Sequence, residues 1–125
     1  MKYSFFVRDL VSTDDMPQIK RGDYVSFDVE HPSKPGIYIR EFKKVRCSAG
    51  DTLTVSGREY FCNKAYLGRS KSSDSAGRPV TPYSKSGMLA PGQIFVMGDH
   101  RDSYDSRYYG PIQVTNIKEK LWPIF

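Results

Sequence analysis

The sequence predicts a mostly β protein of one domain, and three observations carry that prediction. At 125 residues the chain can bury a single modest core. Its apolar positions favour Val, Tyr, Phe and Ile over Leu, and β-branched and aromatic side chains suit the pleated surface of a strand. Turn signals recur at short intervals, with no internal repeat or heptad.

Taken in order, the segments read as follows. "DYVSFDV" alternates, with Val25, Phe27 and Val29 on one face and Tyr24, Ser26 and Asp28 on the other, which predicts a half-buried strand entered through Gly22. The loop "EHPSKPG" leads into a longer strand, "IYIREFKKVR". "TLTV", a Ser56-Gly57 turn and "REYFC" predict a hairpin, since Gly in a two-residue loop tolerates positive φ. Residues 68–87 are polar and rich in Gly and Ser, and predict a long exposed loop. "GQIFVM" is the next strand. Thr115 is placed to cap a short helical turn through Lys120, and "LWPIF" reads as an edge strand, where Pro123 is tolerated.

Composition narrows the functional classes. A net charge of +5 and a pI near 9.2 suit an anionic partner, but the basic residues are scattered along the chain, so a soluble basic surface without nucleic acid is expected. No stretch approaches the ~20 apolar residues of a membrane span. Cys47 and Cys62 lack the CxxC or Cys/His company of a metal site; a disulfide and two buried thiols both remain open. No metal or other cofactor is implied.

The first chemical signal is a pair of adjacent lysines. A strand sends Lys43 and Lys44 to opposite faces, so Lys43 shares a face with Ile37, Ile39 and Val45, and Lys44 with Arg40 and Arg46. On an apolar face the ammonium loses solvation, which favours the neutral amine and makes Lys43 a usable general base. Lys44 is then expected to be solvent-exposed; the bland alternative is that Lys43 snorkels, with its ammonium at the sheet margin.

The second signal is "MGDHRDSYDSRYYGP", in which a Gly-Asp opens and an Asp-Ser-Arg closes a charged run. It closely resembles the last signature box of the type I signal peptidases. "KKVRCSAGD" resembles that family's lysine box, where the base lies seven residues before a Gly-Asp, and counting back from Gly50 gives Lys43. "IKRGDYVSF" resembles the family's Gly-Asp strand. The matches span residues 19–112, and the short spacing within the last box resembles the conjugative-transfer (TraF-type) branch.

This resemblance implies a fold of coiled antiparallel sheets and a Ser-Lys dyad, in which a serine attacks the scissile carbonyl and neutral Lys43 takes its proton. It implies that Ser103 orients the lysine and that Asp105 and Arg107 form a bracing ion pair. It also implies a secreted or pilin-type preprotein bound as an extended strand, a periplasmic location on the bacterial inner membrane through an N-terminal anchor, and hence a Cys47–Cys62 disulfide. Two plainer readings of the charged run are surface ion pairs with Asx-turns, or a calcium loop, although Asp99, Asp102 and Asp105 do not follow calcium-loop spacing. His100 and His31 carry no expected catalytic role.

The nucleophile is the point of departure. Eight residues before Gly22 the register gives Asp14 in "DDMP", where the housekeeping enzymes have serine. Either the chain is an inactive, pilus-assembly type of relative that keeps the fold as a binding platform, or the conjugative pattern holds and the serine lies upstream of Met1, with "KYSFFV" as the strand that follows it. Under the second reading the 125-residue chain is inert although its parent is a peptidase. Ser4 and Ser12 are the substitutes by proximity, neither followed by the expected proline.

Overall fold

The computed structural model describes residues 4–10, 19–31 and 33–124. They form two antiparallel sheets. The strands are β1 (Ser4–Leu10), β2 (Tyr24–Glu30), β3 (Tyr38–Ser48), β4 (Thr52–Ser56), β5 (Glu59–Cys62), β6 (Ala65–Arg69), β7 (Gly87–Met88), β8 (Gln93–Met97), β9 (Ile112–Gln113) and β10 (Ile117–Ile124). One α-helical turn, α1 (Ser106–Tyr109), follows β8, and a 3-10 turn occupies Val114–Asn116. The larger sheet has the order β1-β10-β2-β3-β8-β9 and the smaller β6-β5-β4-β7.

β3 and β8 are shared between two apolar cores, and this placement organises the molecule. Val45, Ile94 and Val96 join Val25, Phe27 and Ile117 in the first core, while Cys47, Phe95 and Met97 join Leu53, Tyr60, Cys62 and Leu89 in the second. Alternate residues of β8 therefore serve opposite cores, as a strand covered on both faces requires. β3 does the same with the help of a bulge: Val45 pairs with Val96 and Cys47 with Phe95, leaving Arg46 as the extra residue. The bulge turns Cys47 to the face opposite Val45. There it forms a disulfide with Cys62, which joins β3 of one sheet to β5 of the other rather than neighbouring strands.

Several local expectations are corrected. The two-residue turn of the β4–β5 hairpin is Gly57-Arg58, because Ser56 already pairs with Glu59; Gly57 supplies the positive φ of 60°. A second tight hairpin, β5–β6, turns on Asn63 and Lys64, both with positive φ, where Asn is a favoured residue. β6 runs through Arg69, so the long loop begins at Ser70, and it is tied down: Tyr83 N donates to the carbonyl of Arg107 at 2.8 Å. The helical turn near the C-terminus ends at Asn116, and residues 117–120 are strand.

β10 is not an edge strand. It lies between β1 and β2, and Pro123 is accommodated beside a register shift between Phe5 and Val7 of β1, where a missing N–H disrupts the ladder least. β2 is buried on both faces at its start, since Tyr24 lies under the Lys44 ammonium and Ser26 Oγ donates to Glu119 Oε1 at 2.9 Å.

Reducing the inter-sheet disulfide, or replacing Cys47 and Cys62 by serine, is expected to lower unfolding free energy by about 3 kcal/mol in the chain-entropy account of a fifteen-residue loop. Urea denaturation with and without reductant measures it, and equal midpoints would contradict it.

Candidate active site

β8 stops pairing with β3 at Met97, opposite Lys44. At Gly98 the chain leaves the sheet, and the loop from Asp99 to Tyr104 brings Ser103 back over β3. Lys43 there pairs across the sheet with Val25 and is 7% exposed. Its Nζ donates to Ser103 Oγ at 2.6 Å. The return is possible only because residue 98 has no side chain. A Cβ at Gly98 would lie 2.0 Å from Ser103 Oγ and 3.1 Å from Lys43 Nζ.

The loop is held by a buried ion pair. Asp105 and Arg107 are 0% and 2% exposed. Asp105 Oδ1 accepts from Arg107 Nε at 2.8 Å and from Arg107 N at 3.0 Å, and Oδ2 accepts from Arg107 Nη2 at 2.7 Å and from Gly98 N at 3.0 Å. Thus one carboxylate caps α1, pairs with the guanidinium and anchors the first residue of the loop.

The guanidinium is equally committed. Beyond Asp105, Nη1 donates to the carbonyls of Arg69 and Arg101, and Nη2 to that of Ser103. All five N–H donors of the fork are therefore used. Burial works against the charge on Arg107, but the hydrogen bonds and charge of Asp105 outweigh it and raise its proton affinity above the ordinary arginine value. Ser106 adds a further tie, its Oγ accepting from Val96 N at 2.9 Å.

Lys43, Ser103, Asp105 and Arg107, picked out in the sequence, thus form one connected cluster. The surroundings of Lys43 differ from expectation in one respect. Ile37 and Ile39 are 53% and 40% exposed, because the β2–β3 ribbon projects beyond the core, so Val25 and Val45 supply the apolar contact instead. Lys44 does point to the opposite face, but it is half-buried, with its Nζ 5.6 Å from the Tyr24 ring centroid, rather than free in solvent.

Two groups near this cluster were not singled out in the sequence. Glu41 Oε2 lies 3.7 Å from Nζ; its position two residues earlier on the same strand face was the available signal. Tyr109, in edge contact with Tyr104 at 5.2 Å, has a buried hydroxyl without a hydrogen-bond partner among the described residues. Burial pushes its phenol well above the usual tyrosine range, and the nearby charges of Asp105 and Glu41 add to the effect.

The remaining candidates fall away from this cluster. The three aspartates of the charged run do not converge on one point: Asp105 holds Arg107, and Asp102 pairs with Lys71. His100 is exposed beside Asp102, and His31 Nδ1 accepts from Ser33 N. Cys47, Cys62 and Asp51 lie close together, but both sulfurs are consumed in the disulfide and offer no metal ligand. Ser12 and Asp14 lie outside the described residues. Ser4 is on β1, three strands from β3 in the sheet order, roughly 14 Å at ~4.8 Å per strand.

A coiled antiparallel β fold that buries a lysine against a serine from a Gly-Asp…Asp-Ser-Arg loop defines a signal-peptidase-like protein. Consistent with this, residues 1–123 match the family model described as "Signal peptidase, peptidase S26", and the chain belongs to that family. Among curated proteins it is 29% identical over 92 residues to the "Conjugal transfer protein TraF" of Agrobacterium fabrum, covering 73% of this chain and 52% of that protein. It is 31% identical over 94 residues to the "Plasmid transfer protein TraF" of Escherichia coli, covering 72% and 53%. The chain therefore spans about half the length of the curated relatives it matches. A solved signal peptidase I from Enterococcus faecalis aligns with a TM-score of 0.48 and 24% identity over 79% of this chain and 92% of that one.

Two substitutions test the cluster. Gly98→Ala is expected to expel Ser103 from its contact with Lys43, read as amide shifts confined to residues 98–106 in a 15N–1H spectrum while β4 and β5 hold. Asp105→Ala leaves the Arg107 guanidinium buried and unpaired, and should cost about 3–5 kcal/mol of unfolding free energy, measured by denaturant titration.

Proposed function

We propose that the chain is the soluble domain of a membrane-tethered serine endopeptidase, which processes a secreted or pilin-type preprotein of a conjugative transfer system. Its place would be the periplasmic face of the bacterial inner membrane. The observation that carries the reading is the buried Lys43–Ser103 hydrogen bond beside an open strand edge. Residues 38–43 of β3 pair with β2 on one side, and among the described residues no strand pairs with them on the other. An extended peptide can add itself there through main-chain hydrogen bonds, which brings its carbonyl groups past Lys43.

In this reading a serine hydroxyl attacks the scissile carbonyl as Lys43 Nζ takes its proton. The tetrahedral adduct collapses to an acyl-enzyme, and the amine leaves with the proton returned by the lysine. Water then releases the acyl group by the same base. Ser103 orients Nζ, and the Asp105–Arg107 pair keeps Ser103 in place. In this reading the nucleophile belongs to a segment N-terminal to Met1, a placement supported by the motif register.

The test is cleavage of a preprotein peptide by the protein extended with its natural upstream segment. Lys43→Ala should lower the rate by at least about 100-fold, as loss of a general base does. Lys44→Ala should leave most of the activity. Ser103→Ala should fall between the two, because it removes an orienting partner and not the base. An extended protein that cleaves nothing, its cognate preprotein included, would favour a non-catalytic assembly factor.

A further inference from the structure

We propose that the molecule carries a binding site for a phosphoryl anion, formed by Arg58, Arg69, Lys71 and Arg101. These cations are scattered in the sequence, but they converge on one hollow of ≈ 430 Å³. Arg58 belongs to the β4–β5 turn, Arg69 ends β6, Lys71 is the second residue of the long loop and Arg101 lies in the loop after β8.

The backbone at each of the four is fixed by hydrogen bonds. Arg107 Nη1 donates to the carbonyl of Arg69 at 2.9 Å and to that of Arg101 at 3.1 Å. Ser70 N donates to the carbonyl of Arg58 at 2.8 Å, and Lys71 N donates to Tyr108 Oη at 3.1 Å. Like charges gathered in one hollow repel each other. Here their main chains are held together by the buried Arg107 and by main-chain contacts, so the four side chains start from fixed points around the hollow, and an anion has only the side chains left to order.

Neutralisation within the cluster is incomplete. Arg69 lies 3.4 Å from Glu59, and Lys71 pairs with Asp102. Among the described residues Arg58 and Arg101 make no ion pair. Two guanidiniums without an ion pair line the hollow, Arg101 also feeling the charge of neighbouring Asp102, and an arginine fork meets the oxygens of a phosphoryl group in bidentate fashion. Lys44 and Arg46 line an adjoining hollow that shares Arg101, and their charge adds to the attraction of an approaching anion. Four cations ring one cavity and only Lys44 and Arg46 extend the charge into the next, which favours a single phosphoryl group over a nucleic-acid strand. Free phosphate and a phospholipid headgroup share this chemistry.

The experiment titrates the 15N-labelled chain with inorganic phosphate at constant ionic strength in chloride, so it does not depend on peptidase activity. Saturable shifts are expected at residues 58, 69–71 and 101–102. The Arg58→Gln/Arg101→Gln variant should weaken binding at least about tenfold, since each loss removes a charge-assisted hydrogen bond. A charge-matched control, Lys34→Gln/Lys118→Gln, should leave it within about twofold. Should the first variant unfold, Arg58→Gln alone makes the same comparison.

Binding to phosphatidylglycerol vesicles that needs Arg58 and Arg101 would identify a headgroup. Phosphate binding without vesicle binding would identify the free anion. Linear, unsaturable shifts, or equal weakening by both double variants, would overturn the site in favour of diffuse charge. A twelve-residue oligothymidylate that binds more than about tenfold tighter than phosphate, and requires Lys44 and Arg46, would overturn it in favour of a strand groove.

Discussion

The Asp105–Arg107 ion pair is the constraint on which the rest of the candidate site depends. Three separate pieces of chain meet at it: the end of β8 through Gly98 N, the charged loop through the carbonyls of Arg101 and Ser103, and the end of β6 through the carbonyl of Arg69. A buried pair of this kind gains little over apolar packing of equal volume, because both ions are taken out of water. What it supplies is position. Each N–H of the guanidinium has one partner and each carboxylate oxygen has two, so Ser103 and the segments around it are held in an arrangement that keeps the buried charges satisfied. The density of charge between Gly98 and Gly110 is thus an internal fastening, with Asp99, His100 and Asp102 left on its rim.

β3 translates that fastening into two chemically distinct faces. Lys43 lies on one face, at the margin of the first core, and Lys44 on the other, beside Tyr24. Three residues later the bulge at Arg46 and the disulfide at Cys47 commit the same strand to the second sheet. The lysine therefore sits on a strand anchored by hydrogen bonds on both sides beyond residue 43 and by a covalent link further along, yet with one side unpaired, among the described residues, where it leaves the core. Rigidity beside openness is the arrangement that a strand offering itself to another strand requires.

Much of this was legible in the sequence because it depends on short-range pattern. The period-two alternation of β2 and β3 and the count back from Gly50 both select Lys43, and the spacing of Asp105 and Arg107 makes them neighbours on any tight turn. What stayed hidden depends on contacts between distant segments. Nothing local marks Arg46 as a bulge residue, so alternation carried past Val45 assigns Cys47 to the wrong face. Pro123 suggests an edge strand, and only the pairing of β1 with the outer side of β10 removes the edge. Glu41 was readable as a neighbour of Lys43 by spacing alone, but its carboxylate resembles any other surface charge until the ribbon is built. Arg58, Arg69, Lys71 and Arg101 look dispersed because their convergence is made by Arg107 and the β4–β5 turn, not by sequence proximity.

The side of β3 that no described strand covers also bears on how the protein behaves in company. A strand with unpaired N–H and C=O groups is a template for any extended chain, including the same strand of a second copy. Here it is flanked by exposed apolar groups, Ile37, Tyr38, Ile39 and Phe42, which give a second copy something to bury. Net positive charge opposes such pairing at low ionic strength and loses its range once salt shortens the Debye length to about 8 Å. Concentrated, salted solutions therefore set edge-to-edge dimerisation against the peptide capture proposed above, and the occupancy of the edge becomes a function of how crowded the protein is with itself.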